Sequence, residues 1–106
     1  NYYLFNGNVD LRKGIFRLCE SIREEMSLDP SDASNVYMFM SRNRKVVKIL
    51  HYERGFYVLY EKRPVMGKFK KPVFDEVSRC YRIQWSDMAY LTESIVVDKM
   101  YVSPKG

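Results

Sequence analysis

The chain has 106 residues, a net charge of +5 and a pI near 9.3, a size at which one hydrophobic core forms but two do not. Its 46% hydrophobic and 29% charged residues exclude a disordered or fibrous protein. No segment has the apolar length of a membrane span or the pattern of a signal peptide, so we expect a single cytoplasmic domain over residues 1–106 that has no membrane partner.

The first part of the chain predicts a short strand and then a helix. Tyr2 to Phe5 is aromatic and apolar, and turn residues follow it. From Asp10, a candidate N-cap, apolar residues recur at helical spacing as far as Met26, and charged residues occupy the opposite face. The pattern predicts one long amphipathic helix that lies on a sheet and ends before Asp29-Pro30. Its apolar positions are Leu11, Ile15, Leu18, Cys19, Ile22 and Met26.

The middle of the chain predicts two consecutive hairpins. Val36 to Met40 is an unbroken apolar run of strand length, and a basic turn, Ser41 to Lys45, joins it to a strand from Val46 to Glu53. Arg54-Gly55 then supplies a tight reversal into a strand from Phe56 to Glu61. A two-residue loop there sets Glu53 opposite Phe56, Leu50 opposite Leu59 and Lys48 opposite Glu61, and the last pair is favourable.

The remaining segments complete a predicted α+β fold. Residues 62–72 are rich in cations and proline and are expected to form an exposed loop or edge. Cys80 to Trp85 alternates like a strand with one buried face, and Ser86-Asp87 begins a short helix that ends near Ser94 or Val97. We therefore expect an antiparallel sheet of four to five strands built from consecutive hairpins, one long amphipathic helix packed on it and a short C-terminal helix.

The residues that could carry catalysis are sparse. His51 is the single histidine and lies within a predicted strand, which favours a structural role, and Cys19 and Cys80 are expected to be buried thiols. The acids fall mainly in turns or on the solvated helix face, and no phosphate-binding loop is present. We therefore expect no enzyme, cofactor, metal or small-molecule substrate; a free-standing nuclease would require three acids to converge in a cleft.

The cations form three groups at the ends of predicted elements. In the first group, Arg12 and Lys13 stand in the predicted first helical turn, where they oppose the helix dipole; either an anion binds there or both side chains point into water. The other two groups are the hairpin tip and the loop before the last strand, and each either contacts phosphates or keeps an edge soluble. The tip group is Arg42, Arg44 and Lys45, and the loop group is Lys68, Lys70 and Lys71.

Phe69 stands between the cations of the loop group. An aromatic ring among cations is typical of a site where single-stranded bases stack. The alternative is that Phe69 is an ordinary packing residue.

Several short motifs in order along the chain carry a resemblance to a known family. They are Asp10-Leu11-Arg12-Lys13-Gly14, Phe39 with Arg42-Asn43-Arg44, Lys48-Ile49-Leu50, Gly55-Phe56, Leu59-Tyr60 with Lys62-Arg63, and Gly67-Lys68-Phe69 with Pro72. In these the chain resembles the accessory TnpB family of insertion sequence 66 (IS66) type bacterial transposons. It departs from the family at His51-Tyr52-Glu53, where Tyr-Trp-Asp is common, and at Ser94, where glycine is usual.

The resemblance implies an accessory role in DNA transposition, in which a separate transposase cuts and joins DNA. Together with the basic groups it leads to a hypothesis: a non-catalytic factor that binds DNA or the transposition complex through its cations. The alternative is a protein-interaction module that docks to the companion transposase through exposed aromatics such as Tyr37, Tyr57 and Trp85.

Overall fold

A computed structural model shows a five-stranded sheet, a two-stranded sheet and two helices. It describes residues 1–6, 10–12, 14–73, 78 and 80–93, and the backbone of 95–96. In chain order the elements are β1 (Tyr2–Phe5), α1 (Ile15–Glu25), β2 (Val36–Met40), β3 (Val47–Glu53), β4 (Phe56–Lys62), β5 (Lys68–Phe69), β6 (Cys80–Ile83), α2 (Trp85–Glu93) and β7 (Ile95–Val96).

The large sheet is mixed, which corrects the prediction of an antiparallel one. Its strand order is β4-β3-β2-β1-β6, and β1 runs parallel to β2 while every other pair is antiparallel. The cause is α1: a helix between two strands carries the chain back along the sheet, so the next strand starts from the same end. Consecutive hairpins account only for β2, β3 and β4.

The predicted register between β3 and β4 is confirmed. Glu53 lies opposite Phe56, Leu50 opposite Leu59 and Lys48 opposite Glu61. The loop between them has positive φ at both Arg54 and Gly55, 47° and 86°, as a two-residue hairpin turn of type I′ requires.

The first helix is shorter than predicted. It begins after Gly14, and its N-cap has no side-chain hydrogen bond. Asp10 is not the cap: its Oδ1 accepts hydrogen bonds from the backbone N–H and the Nε of Arg12, at 3.0 Å each. Such local bonding gives the backbone an alternative to the helix, and glycine is costly inside one. Leu11 is nevertheless buried, because its turn packs against the same core as α1.

Each face of the large sheet is covered by a different layer. On one face α1 buries Leu18, Cys19 and Ile22 against a cluster that includes Tyr37 and Phe39. The other face packs against α2 and β5, in a second cluster formed by Leu4, Met38, Val47, Phe69, Met88 and Leu91. Residues of β2 and β3 alternate between the two clusters, as the pleat requires.

The C-terminal part departs from the prediction in two places. The strand predicted to reach Trp85 ends at Ile83, because Gln84 is the N-cap of α2 and its N–H donates a hydrogen bond back to Asp87 Oδ2 in the first helical turn. Trp85 is thus the first helical residue, and its side chain is 62% exposed. Within the predicted loop, Lys68–Phe69 forms a short strand with Ile95–Val96. Neither helix of the described part is long and apolar enough to cross a membrane.

Candidate nucleic-acid interface

The strand directions bring the predicted basic groups toward one end of the large sheet. β1, β2 and β4 end there, and β3 and β6 begin there, as the pairs Met40 with Val47, Val47 with Lys62 and Phe5 with Cys80 show. We call this the basic end. The β2–β3 hairpin tip forms part of it, and so do the segment around β5 and the turn before α1.

The hairpin tip is ordered by its own polar side chains. Ser41 Oγ accepts hydrogen bonds from the N–H groups of Lys45 and Val46, at 3.2 and 3.0 Å. Asn43 Oδ1 accepts from the Lys45 N–H and from the Ser41 hydroxyl. Arg44 adopts a positive φ of 59°, which closes the turn. The side chains of Arg42 and Lys45 are therefore held outward on a fixed backbone.

A backbone hydrogen bond joins the hairpin tip to the β5 segment. The Phe69 N–H donates to the Arg44 carbonyl at 2.8 Å. Phe69 itself is buried among residues of α2 and the sheet, so the packing interpretation of its ring is confirmed and base stacking on it is wrong. The anchor sets Lys68 and Lys70, the neighbours of Phe69, beside the tip. Two of the three predicted groups thus converge.

Lys70 and Lys71 continue this surface. Lys70 Nζ donates a hydrogen bond to the Tyr90 hydroxyl at 2.9 Å and lies 5.5 Å from the centre of that ring. Lys71 is exposed. Among the residues that the structure describes, Arg42, Lys45 and Lys71 form no ion pair. These three cations keep their charge available to an external anion.

Arg12, in the third predicted group, has a different environment. Its guanidinium pairs with Asp10, and that hydrogen bond raises the pKa of Arg12 above its ordinary value. Because α1 starts at Ile15, Arg12 lies outside the first helical turn, and the argument from the helix dipole is wrong for it. Lys13 lies outside the described residues. Arg12 is therefore a partly neutralised cation at the margin of the basic end.

Further cations at this end were not among the predicted site residues. Lys48 is almost buried; its Nζ donates to the Leu11 carbonyl and lies 3.5 Å from Glu61. Arg63 also binds Glu61, at 2.8 Å, and these two cations, Arg63 first, hold the pKa of that carboxyl below its usual value. Lys62 pairs with Glu93 at 2.9 Å. The predicted strand ended at Glu61 and left Lys62 in the following loop. Extending the predicted register by one residue, which sets Lys62 opposite Val47, was the signal that could have identified it.

The opposite end of the sheet contains several carboxylates. Asp29 and Asp32 lie in the turn before β2, and each accepts hydrogen bonds from the hydroxyl and backbone N–H of the serine two residues later. Those bonds lower the pKa of both carboxyls. Glu53 is exposed at the β3–β4 hairpin, beside Arg54. Charge is therefore unevenly distributed between the two ends.

Residues that could support catalysis remain dispersed. In the part of the chain that the structure describes, no three His, Cys, Asp or Glu residues are grouped to hold a metal ion. His51 is half-buried and stacks on Tyr60 with 6.1 Å between ring centres. Cys19 is buried and Cys80 half-buried, and burial raises the pKa of both thiols, so both favour the unreactive protonated form.

The aromatic residues predicted for protein docking differ in their exposure to solvent. Tyr37 is fully buried, so its assignment to an exposed surface is wrong. Its run of five apolar residues belongs to a central strand, which is covered on both faces. Tyr57 is half-buried against the α1 cluster. Trp85 is exposed, and its ring lies 5.7 Å from that of Tyr2.

Comparison with known proteins finds one family. A family model described as IS66 Orf2 like protein matches residues 1–101. The matched range contains all three predicted basic groups. No curated protein and no solved structure matches the chain.

Proposed function

The chain belongs to the IS66 Orf2 like family, and from this premise we propose that it is a transposition accessory factor that binds duplex DNA through its basic end. Family membership supports the accessory role. DNA contact is supported above all by the 2.8 Å hydrogen bond from the Phe69 N–H to the Arg44 carbonyl, because it unites two groups of cations that are distant in sequence.

The proposed contacts are made to phosphates. Arg42, Lys45 and Lys71 are exposed cations that form no ion pair with a described residue, so a phosphate does not have to displace a carboxylate from them. The backbone at Arg42 and Lys45 is fixed by the hairpin turn, which reduces the ordering that binding requires. Lys71 lies two residues after Phe69, whose N–H is bound to the Arg44 carbonyl. Phosphate contacts orient a protein on the duplex and carry little sequence information.

The buried state of Phe69 favours duplex over single-stranded DNA. Proteins that bind single strands stack bases on exposed aromatic side chains, and the ring interleaved with the loop cations is 1% exposed. Tyr90 is exposed near Lys70, but that ammonium group lies over its ring, 5.5 Å from the ring centre. Cations held on ordered turns fit contacts with the phosphates that line a groove of duplex DNA.

Fluorescence anisotropy with labelled element-end duplex, random duplex and single strands, each across a salt series, tests this function. We expect duplex binding to weaken steeply with salt, and each lost phosphate contact to reduce the slope of log K against log salt by about 0.9. Arg42→Ala with Lys45→Ala is expected to lower that slope by about 2. Absence of duplex binding at low salt would falsify the proposal, and tighter binding to single strands would overturn the choice of duplex.

Two arginines provide a matched control. Arg44 and Arg54 both lie in hairpin turns with positive φ, 59° and 47°, but at opposite ends of the sheet. Alanine keeps the Cβ that each arginine already carries in this conformation, so Arg44→Ala and Arg54→Ala leave the backbone strain of both turns unchanged. We expect only Arg44→Ala to weaken DNA binding. Equal weakening would indicate that the basic end is not the contact surface.

A second candidate function is docking to the companion transposase, which the exposure of Trp85 beside Tyr2 favours. A tryptophan with an exposed apolar face is a frequent anchor in protein interfaces. Co-purification with the transposase tests it in the presence of nuclease. Trp85→Ala should then reduce recovery, while Arg42→Ala with Lys45→Ala should not; the reverse pattern would reject it.

A further inference from the structure

The outer edge of β4 is long and is paired with no strand that the structure describes. β4 has seven residues, and in the five-stranded sheet it contacts only β3, so that no described strand covers its other side. The second edge strand, β6, has only four residues, and its Arg82 is hydrogen-bonded to Asn1. Unpaired N–H and C=O groups along a long edge form a template for another strand.

β4 also lacks the features with which edge strands usually prevent such pairing. Its register with β3 is continuous, so it contains no bulge, and it contains no proline. Its charged residues, Glu61 and Lys62, are confined to one end. Phe56 is 71% exposed and Tyr60 is 60% exposed, so the edge presents apolar surface to solvent. Such an edge is expected to be covered by a partner.

We propose that two copies of the chain pair antiparallel through β4 about a twofold axis at Leu59, which joins their five-stranded sheets into one. In this register Leu59 faces Leu59 of the second copy, Val58 faces Tyr60, Tyr57 faces Glu61 and Phe56 faces Lys62. All seven residues of β4 are paired, and no two like charges are opposed.

Neighbouring registers are less favourable. A one-residue slip would oppose side chains that belong to different faces of the sheet. A two-residue slip in one direction sets Lys62 against Arg54 of the second copy, two like charges. A slip in the other direction sets Phe56 and Tyr57 against residues beyond Lys62, where β4 has ended, so fewer residues are paired. The strand is thus complementary to itself in one register, which is the argument for a second copy as its partner.

The pairing is also favourable over a longer range. The twofold axis turns the basic end of one copy beside the opposite end of the other, so their basic ends are kept apart. Lys62 of one copy faces Phe56 of the second, and Glu53 lies directly across from that Phe56. A cation, an aromatic ring and a carboxylate then form a row across the junction. The aromatic surface at Phe56 and Tyr60 is covered by the same step.

Sedimentation equilibrium of the full chain over a range of concentrations, in moderate salt without DNA, tests the proposal. We expect a reversible dimer. Because Val58 faces Tyr60 twice, Val58→Lys with Tyr60→Lys opposes new cations and should weaken dimerisation about 100-fold, as like charges directly opposite are destabilising. Val58→Lys with Tyr60→Glu opposes unlike charges and should retain it. Circular dichroism verifies that both variants fold.

The other outcomes overturn the proposal. A wild-type chain that is monomeric at the highest concentration rejects self-pairing, and a dimer that both variants leave unchanged uses a different surface. Equal loss in both variants rejects the register. The assay contains no DNA, so its failure leaves the proposed function standing, and failure of DNA binding leaves the dimer standing.

A disulfide at the axis gives an independent measurement. The twofold axis at Leu59 brings position 59 of both copies together, so Leu59→Cys should form an intermolecular disulfide on mild oxidation. Tyr57→Cys, two residues away on the same face, faces Glu61 instead and should cross-link at least tenfold more slowly. Wild-type protein controls for Cys19 and Cys80. Equal cross-linking of both variants contradicts the register.

Discussion

The two ends of the large sheet are built in contrasting ways. At the opposite end, the carboxylates of Asp29 and Asp32 accept hydrogen bonds from serines of their own turn, and the turn is fastened to β2 by the buried Tyr37 hydroxyl. At the basic end, the turn polar groups are also satisfied, yet Arg42 and Lys45 extend from it without an ion pair to any described residue. One end uses its charges to order its own backbone, and the other leaves charge available for a partner.

The largest expected effect comes from reversing charge at the basic end. Arg42→Glu with Lys45→Glu removes two proposed phosphate contacts and adds repulsion, so the Kd for duplex DNA should rise more than about 100-fold near 0.1 M salt. Glu53→Gln, at the opposite end, should change Kd less than about twofold. Anisotropy titrations of the wild-type protein and of these two variants measure both changes in Kd. A similar loss in Glu53→Gln would remove the functional distinction between the ends.

The second largest effect is expected at the opposite end, where a side-chain hydrogen bond attaches the turn before β2 to that strand. The Tyr37 hydroxyl donates to the Asp29 carbonyl at 3.0 Å and accepts from Asn35 Nδ2 at 3.2 Å. Tyr37→Phe leaves both partners without this bond, so the free energy of unfolding should fall by about 2 kcal/mol. Urea denaturation followed by circular dichroism measures it. Tyr52→Phe, at a half-buried site where no hydrogen bond of the hydroxyl is described, is the control, and an equal loss there would contradict a specific role for Tyr37.

A smaller effect on stability is expected at the basic end, where the side chain of Lys48 attaches the turn before α1 to β3. Lys48 Nζ donates to the Leu11 carbonyl and approaches Glu61, but Glu61 keeps Arg63 when Lys48 is replaced. Lys48→Met preserves the apolar stem and should cost only about 1 kcal/mol in the free energy of unfolding. The same denaturation experiment measures it. A loss of stability larger than that of Tyr37→Phe would contradict the expectation that the side-chain hydrogen bond at the opposite end contributes more than the one at the basic end.

The smallest effect is a dependence of stability on pH at the opposite end. The pKa values of Asp29 and Asp32 are lowered from 3.8, chiefly by hydrogen bonds from the hydroxyls of Ser31 and Ser34. A lowered folded-state pKa gives stability that is present above the unfolded pKa and is lost as the pH falls through the folded one.

Ser31→Ala with Ser34→Ala should therefore reduce the loss of stability between about pH 5 and pH 2. Urea denaturation at several pH values compares this variant with wild type. Ser21→Ala is the matched control, because its hydroxyl binds a backbone carbonyl in α1 rather than a carboxylate. A variant whose pH profile coincides with that of wild type would contradict the assignment.

Sequence reasoning was most successful for local patterns. β1 and β2 were predicted with their observed bounds, and the β3–β4 register followed from one two-residue turn. It was less successful at the start of α1, because the helical periodicity from Leu11 onward also describes a buried turn followed by a helix. The hydrogen bonds of Asp10 and the glycine at position 14 end the periodic segment there.

The candidate site was predicted only in part, because sequence patterns describe residues that are neighbours along the chain. The cations of the hairpin tip are adjacent in sequence, so their proximity is local. Their contact with the β5 segment depends on the burial of Phe69 between α2 and the sheet, and a pattern of alternating residues carries no information about such a distant partner. Tyr37 illustrates a different error: the unbroken apolar run of Val36 to Met40 is typical of a strand covered on both faces, and the strand order confirms that β2 is central.

The amino-acid sequence by itself determined the α+β class, the segments of β1 to β4, the hairpin register and the membership in the family, because each depends on neighbours along the chain or on ordered motifs. Tertiary structure alone decided the parallel pairing of β1 with β2, the convergence of two basic groups at one end and the place of β4 as an outer strand of the described sheet. Those features depend on which distant surfaces bury one another. A crossover helix returns the chain to the starting end of the sheet, and the residues of the two strands do not show whether they pair in parallel or antiparallel directions.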